Sequence, residues 1–561
     1  MPFHCSLLST IFCGLAMSIA AEAAEVSPAA VASPTEQADL AVAVQANNDF
    51  AMALYRQLSA DDPSGDLFFS PASISMALGM LAEGARGRTG VEMAQALAYP
   101  QSVVDQLAAG DPEHMALLPV HGGMRSLRSL LLPTDTSPQR AELAALRKQL
   151  AAEQAALKKA LEAKRRAEAD ALRTELQTAV GDAPDRAGQD EQDDDQAHAA
   201  AITRYYEIAS RANALADRVN TLASKVDPFQ LHVANAIWID KTFPVARPYA
   251  ERITKFYGTG GVRAVDFGGH PEAQRLQINE WIAAQTQDHI RDLLAPGLVT
   301  NRTRMILANA IYFNGAWLHP FAAGASRRGT FTAADGNPTT VTLMHERGLG
   351  VAHFGAFQAD ATPVAMPDLL PVDEQIDLAD LYPADDGFMI AELPYKGDAL
   401  SMVVVLPMRH DGLPALEETL SSTQLNTCLR QLTRRTIDYK MPRFRTEATC
   451  TLRETLQAMG VRAAFAENIA DLSHMHTGGR SAENLFVSDL IHKATLEVNE
   501  EGTKAVAVTV DVLEPSCALE MVPFIPEMHV NRPFMLLIRH RPTGAILFMG
   551  RVNSPQERKQ P

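Results

Sequence analysis

NEEGTKAVAVTVDVLEPSCALEMVPFIPEMHVNRPF, residues 499 to 534, decides how the rest of the chain is read. An acidic pair, Glu500 and Glu501, and a lone Gly502 lead into Thr503 to Val510, where residue types alternate with period two, as in an extended strand with two unlike faces. Thr503, Ala505, Ala507 and Thr509 lie on one face, all small or hydroxylic, while Lys504, Val506, Val508 and Val510 lie on the other. Side chains so small need little room in a packed interior, so a strand of this kind can enter between two existing strands. Asp511 shares the small-residue parity and opposes entry, because a carboxylate taken into a core is costly unless paired. Further on, Pro515, Pro523 and Pro526 exclude a place in a central sheet, since proline has no N–H for the ladder. The stretch is strand-competent at its start and loop-like at its tip; taken alone, it fits equally an edge strand followed by a linker.

The chain around it has 561 residues, 47% hydrophobic and 21% charged, ample for a sizeable core. A net charge of -17 and a pI near 5.4 argue against nucleic-acid binding, which wants a basic face. Leu7 to Ile19 is a short apolar run ending in Ala20-Ala21-Glu22-Ala23, the pattern of a secretory signal, so residues 1–23 are expected to be removed on export and the protein to be secreted, extracellular or periplasmic. The run is too short for a comfortable membrane span. Of five cysteines, Cys5 and Cys13 leave with that signal, and Cys428, Cys450 and Cys517 are odd in number and widely spaced, implying no disulfide framework. Cys428 and Cys450 are expected as buried apolar residues, Cys517 in the exposed loop. No Cys-x-x-Cys, His-Glu-x-x-His, Gly-x-Ser-x-Gly, phosphate loop or dinucleotide fingerprint occurs, so the chain shows no catalytic constellation, no metal site and no need of a cofactor.

Taken in order, residues 24–38 are rich in Ala, Ser and Pro and read as a disordered leader, with a helix beginning near Gln37 and carrying Phe50, Leu54 and Leu58 on one face. Leu67 to Phe69 reads as a strand feeding a helix, with Ser70 as its cap and Pro71 in its first turn. FSPASISMALGMLAEGARGRT (69–89), LHVANAIWID (231–240), MILANAIYFNGAWLHPF (305–321), ELPYKGDALSMVVVLP (392–407), VSDLIHKATLEVNEEGT (487–503) and FMLLIRHRPTGAILFMGRV (534–552) complete the pattern. Through these strings the chain resembles the serpin family. The resemblance implies an α+β fold of three β-sheets and about nine helices, with a serpin domain at 39–132 and 227–555, a reactive-centre loop at 500–530 and a short tail at 556–561. It also implies a hinge formed by Glu500, Glu501, Gly502, Thr503, Ala505, Ala507 and Thr509, a shutter of Ser70, Ser73, Asn309 and His492, and Trp317 at the breach. From spacing alone, Ser70 and Ser73 serve equally as a cap and a helix hydroxyl, Trp317 as a core aromatic and His492 as a core histidine.

Two stretches stand outside the resemblance. Residues 133–226 read as an antiparallel helical hairpin. Ser137-Pro138 opens a helix that Gly181 stops, and a Gly/Asp-rich connector reaches Asp195. In the first helix Leu143, Leu146, Leu150, Leu157, Leu161, Leu172 and Leu176 are too irregular for a heptad; in the second, Tyr205, Ile208, Ala212, Leu215, Val219, Leu222 and Val226 form a coiled-coil seam. From Thr134 to Ala200 there are ten Lys/Arg against fourteen Asp/Glu, so a protein partner is a better candidate for this arm than a polyanion. Residues 345–388, acidic and proline-rich, read as a surface loop.

By resemblance the protein is not an enzyme but a suicide-substrate inhibitor of serine proteases, with cysteine proteases as a second target class, acting by loop cleavage and insertion into the central sheet. A non-inhibitory binding or structural protein is the alternative, and Asp511 is the residue that favours it. Counting forward from Gly502 puts the scissile bond at Ser516–Cys517; counting back from Asn531-Arg532-Pro533-Phe534 puts it near Met521–Val522. The first suits an elastase-like target and the second a chymotrypsin-like one. No Lys or Arg lies between Lys504 and Arg532, which disfavours trypsin-like enzymes.

Overall fold

The computed structural model describes residues 33–110, 115–131, 137–180, 189–225, 229–258, 261–371, 381–478, 485–502 and 521–556. The export signal, Thr503, Ala505, Ala507, Thr509, Ser516 and Cys517 lie outside the described residues.

Helix α1 (Pro34–Asp61) starts earlier than expected, taking residues 34–38 from the leader. The reason is local: the Ser33 hydroxyl accepts from the Glu36 N–H at 3.2 Å while the Glu36 carboxylate accepts from the Ser33 N–H at 2.9 Å, with Pro34 preset for the first turn. Phe50, Leu54 and Leu58 are buried on its inner face. After β1 (Leu67–Phe69) comes α2 (Pro71–Gly84), capped by Ser70 and buried along its whole length. Then follow α3 (Gly87–Ala96), α4 (Gln101–Ala108) and α5 (Leu118–Leu131).

Helices α6 (Ser137–Val180) and α7 (Gln189–Lys225) form the hairpin. Leu143 and Leu146 pack with Val219, Glu153 meets Arg211 at 3.6 Å, and Lys164 lies 4.9 Å over the Tyr205 ring. Partners descend along α7 as they ascend along α6, so the two run antiparallel. The connector is shorter than expected because α7 begins at Gln189; acidic residues are favoured in the first turn of a helix, and the sequence there reads Asp190-Glu191. The remaining helices are α8 (Arg247–Tyr257), α9 (Pro271–Gln285), α10 (Leu413–Thr419), α11 (Ser422–Gln431) and α12 (Arg453–Ala458). Among the described residues no helix is long and apolar enough to cross a membrane.

Among the described residues three sheets hold these helices. The first has five strands in the order β11 (Phe444–Thr451), β12 (Asp489–Val498), β4 (Met305–Gly315), β2 (Phe229–Asp240) and β3 (Val262–Val265). Its strands β4 and β12 are parallel neighbours. The second runs β1, β16 (Ala545–Val552), β15 (Phe534–His540), β9 (Leu400–Pro407), β8 (Phe388–Pro394), β6 (Pro338–Phe357), β10 (Thr433–Pro442) and β14 (Glu527–His529), with β5 (Arg327–Thr332) paired to β6. β8, β9 and β16 are buried throughout, as expected of nearly unbroken apolar runs at the centre of a covered sheet. The third is a pair, β7 (Leu369–Pro371) with β13 (Met521–Pro523). It corrects two expectations at once: residues 345–388 are not one surface loop, since β6 runs to Phe357 and β7 lies within them, and 500–530 is not loop throughout, since it contains β13 and β14.

The core fills the space between the first two sheets around α2. Phe548 of the second sheet stacks on Phe68 at 5.4 Å and lies 5.7 Å from Phe313 of the first. The opposite face of the five-stranded sheet has its own core, where Ile278 and Ile282 of α9 pack with Trp238, Ala308 and Ala310. Both faces of β4 are therefore covered, and any strand placed beside it must fit a packed interior.

Candidate functional site: the parallel pair and its hinge

Strand register sets Asn235, Asn309 and His492 in one row across β2, β4 and β12. Asn309 donates through Nδ2 to Asn235 Oδ1 at 2.7 Å, and its Oδ1 lies 2.5 Å from His492 Nδ1. His492 Nε2 accepts from the Ser70 N–H at 3.1 Å, so the ring proton sits on Nδ1 and is donated to Asn309. Ser70 also donates its hydroxyl to the Leu547 carbonyl at 2.6 Å. Ser73 closes the network, donating to Asn235 Oδ1 at 3.0 Å and accepting on its carbonyl from Asn235 Nδ2 at 3.2 Å. Burial pushes the pKa of the His492 imidazole down to about 3, so it is neutral at physiological pH. A wholly neutral chain of bonds thus ties the start of α2 to the row across β2, β4 and β12, and parting β4 from β12 breaks the His492–Asn309 bond.

Of the residues assigned to the shutter, Ser70, Ser73, Asn309 and His492 are brought together. Asn235 was not among them. Its signal was present as a repeat, Ala234-Asn235-Ala236-Ile237 matching Ala308-Asn309-Ala310-Ile311 on the neighbouring strand.

At the C-terminal ends of the pair the strands part. Pairing between β4 and β12 stops at Tyr312 and Thr495, although both strands run three residues further, to Gly315 and Val498. Trp317 sits at this opening, stacked on Tyr395 at 4.6 Å and 9°, with Nε1 donating to the Asn499 carbonyl at 3.0 Å. Its backbone N–H donates to the Glu501 carbonyl at 3.2 Å, and that of Phe321 to the Glu500 carbonyl at 2.8 Å. The Glu500 side chain is buried, accepting from Ser326 Oγ at 2.6 Å and paired with Arg443. Burial alone would raise its pKa; the bonds from Arg443 and Ser326 outweigh this and hold the carboxyl below its ordinary value.

Asn499 and Gly502 exchange backbone hydrogen bonds at 3.2 and 3.1 Å, closing a turn that requires φ of +94° at Gly502. A Cβ there would sit 2.5 Å from the Gly315 carbonyl oxygen and 2.7 Å from Ala316 Cα. Gly502→Ala is therefore expected to cost about 2 kcal/mol or more, from left-handed strain plus a backbone clash. Thermal unfolding should read this as a midpoint lowered by about 2 °C or more, and an unchanged midpoint would show that the turn is not held as described.

Met521 and Val522 are not free: they lie in β13, opposite Pro371 and Leu370. Cys428 is buried as expected, its thiol pushed up to about 11 by desolvation, whereas Cys450, expected to be buried too, is only partly covered on the outer strand β11. Among the described residues no group of His, Cys, Asp and Glu is arranged to hold a metal ion.

This is an α+β protein whose central sheet carries a closed parallel pair with the Asn499–Gly502 turn held at its open end. The chain belongs to the serpin family: the family described as Serpin (serine protease inhibitor) matches residues 45–179 and 186–555, a span that takes in most of the hairpin. Iris of Ixodes ricinus is 35% identical over 324 residues, 57% of this chain and 76% of that protein. The leukocyte elastase inhibitor of Equus caballus is 28% identical over 518 residues, 91% of this chain and 98% of that protein. Antithrombin-III of Mus musculus is 33% identical over 322 residues, 57% of this chain and 62% of that protein. The fold also matches uncleaved ovalbumin (20% identity, TM-score 0.59, 91% of this chain and 100% of that one) and native protease nexin-1 with heparin (22%, 0.60, 92% and 100%).

Proposed function

We propose that the protein is an exported suicide-substrate inhibitor of serine proteases, cleaved at Ser516–Cys517 by an elastase-like enzyme. The observation that carries the reading is the parallel pairing of β4 with β12, closed at its middle and open beside the hinge. The chain leaving β12 at Asn499 needs only to reverse for residues from Thr503 onward to run back between β12 and β4, antiparallel to both. One parallel pairing, the weaker kind per residue, would then give way to two antiparallel ladders. Roughly a dozen residues gaining ladder bonds of about 0.5–1.5 kcal/mol each make on the order of 10 kcal/mol available. In the proposed sequence the protease serine Oγ attacks the Ser516 carbonyl carbon, the Cys517 amine departs with the proton delivered by the protease's own histidine, and Ser516 remains esterified to the enzyme. Insertion then carries the ester away from its binding site before water can cleave it. The inhibitor supplies no catalytic group and no cofactor.

A relative whose name states inhibition, the leukocyte elastase inhibitor, supports this reading. A non-inhibitory binding protein is favoured by one residue, Asp511, which would have to enter the sheet on the small-residue face. The test incubates the protein with a protease panel, runs denaturing gels and sequences the released C-terminal fragment by mass spectrometry. A gel-stable complex and a fragment beginning at Cys517 are expected. Plain cleavage by every protease, with no complex and no gain in thermal stability of the cut form, would sink the inhibitory reading.

A further inference from the structure

The C-terminal side of the bait is held by a piece of chain that the inhibitory reading does not call upon. β7 pairs antiparallel with β13, Leu370 opposite Val522, and the Phe524 N–H continues the contact by donating to the Asp368 carbonyl at 3.0 Å. β7 is itself anchored. Arg435 on β10 donates to the Pro367 carbonyl at 2.7 Å and pairs with the Asp368 carboxylate at 3.2 Å. Beyond the strand, the Tyr382 hydroxyl accepts from the Glu527 N–H at 2.8 Å, and its ring stands edge-on to Phe524 at 6.4 Å.

A serine protease takes its substrate as an extended strand whose own N–H and C=O groups pair with the enzyme, the same geometry as adding a strand to a sheet edge. A bond inside a strand that is already paired is not available until that pairing is given up. We propose that β7 is a clamp that sets the boundary of the bait: it withholds Met521–Val522 from proteases, confines cleavage to residues 503–520, and keeps the C-terminal side docked after the cut. The inference rests on the inhibitory reading only for the role of 503–520 as bait. It also bears on specificity. A cut at Ser516–Cys517 leaves Cys517 to Glu520 between the bond and β13, enough to lie in a protease cleft, whereas a cut after Leu519 leaves only Glu520. Of the residues that suit a chymotrypsin-like enzyme, Met521 is the one that lies in the paired strand and is withheld by the clamp, whereas Ser516 precedes that strand in sequence.

The test treats the full chain with chymotrypsin and identifies fragments by mass, comparing wild type with Arg435→Ala and the milder Tyr382→Phe. Wild type should release no fragment beginning at Val522, and at least one variant should release it at least tenfold faster with its unfolding midpoint unchanged. That pairing of results separates a clamp from a general loss of structure. Wild type cut at Met521–Val522 as readily as both variants would overturn the proposal. Cleavage position is scored whether or not a complex forms. A complex joined at Met521 would sink the clamp and spare inhibition, while cleavage at Ser516–Cys517 without a complex would do the reverse.

Discussion

Thr503→Arg is expected to turn the protein from an inhibitor into a substrate. The hinge as far as Gly502 is fixed at the open end of the β4–β12 pair by bonds to Trp317 and Phe321, so the next residue is the first that must pass between the strands. By the period-two pattern Thr503 enters on the face shared with Ala505, Ala507 and Thr509. The interior there is lined by residues such as Phe313 and Leu496, both buried, and the nearby Glu500 carboxylate is already taken by Arg443 and Ser326. Burying an unpaired cation costs several kcal/mol even after relaxation, and each 1.4 kcal/mol in a barrier is about tenfold in rate. Insertion should slow on the order of 100-fold, while attack at the distant scissile bond is untouched. Hydrolysis of the acyl-enzyme then wins the race. The measurement is the number of inhibitor molecules consumed per protease inactivated, expected to rise at least tenfold as the gel-stable complex fades. Lys504→Arg, on the opposite face, is the control and should change neither. An unchanged ratio for Thr503→Arg would mean that the inward face was assigned to the wrong residues.

The contrast between those two faces shows which parts of the molecule the sequence makes legible. Local signals were read well: the Ser70–Pro71 helix start and the apolar runs of β8, β9 and β16 depend on neighbours in sequence. Even where a boundary slipped, as at α1, the cause was local, a Ser33–Glu36 capping box just upstream of the periodic run. What was hidden is set by register between distant strands. Asn235 lies on β2, and only the pairing of Asn235 with Asn309 and of Asn309 with His492 shows that three polar side chains share one row. The β7–β13 pair is hidden for the same reason. Three residues ending in a proline carry no strand signal of their own, and their pairing follows from Arg435 and Tyr382 holding the two segments side by side. The hinge stands between these cases: the acidic residue was visible, while its partners Ser326 and Arg443 come from elsewhere in the chain.

Acid is expected to loosen the β4–β12 pair through His492. In the folded protein burial holds its pKa near 3, whereas in an unfolded chain imidazole titrates at about 6.5. Above pH 6.5 the group is neutral in both states and contributes no pH dependence. As the pH falls from 6.5 toward 3, the unfolded chain binds a proton that the folded one refuses, so stability declines with falling pH across that window. The linkage amounts to about 2 kcal/mol by pH 5 and about 3 kcal/mol by pH 4. The loss should concentrate where the proton would go, because an imidazolium has no lone pair at Nε2 to accept the Ser70 N–H. His492→Gln isolates the effect from carboxylates that titrate in the same range. The variant should be less stable at pH 7.5, having lost ring packing and hydrogen-bond geometry, yet its first urea transition should fall less steeply between pH 6.5 and 4, by about 3 kcal/mol. Hydrogen exchange adds the location: on acidification the amides of β4 and β12 should lose protection before those of β8 and β9 in wild type, and not in the variant. Equal pH slopes for the two proteins would show that His492 takes up its proton without breaking the row, and that the pair is held by its backbone ladder alone.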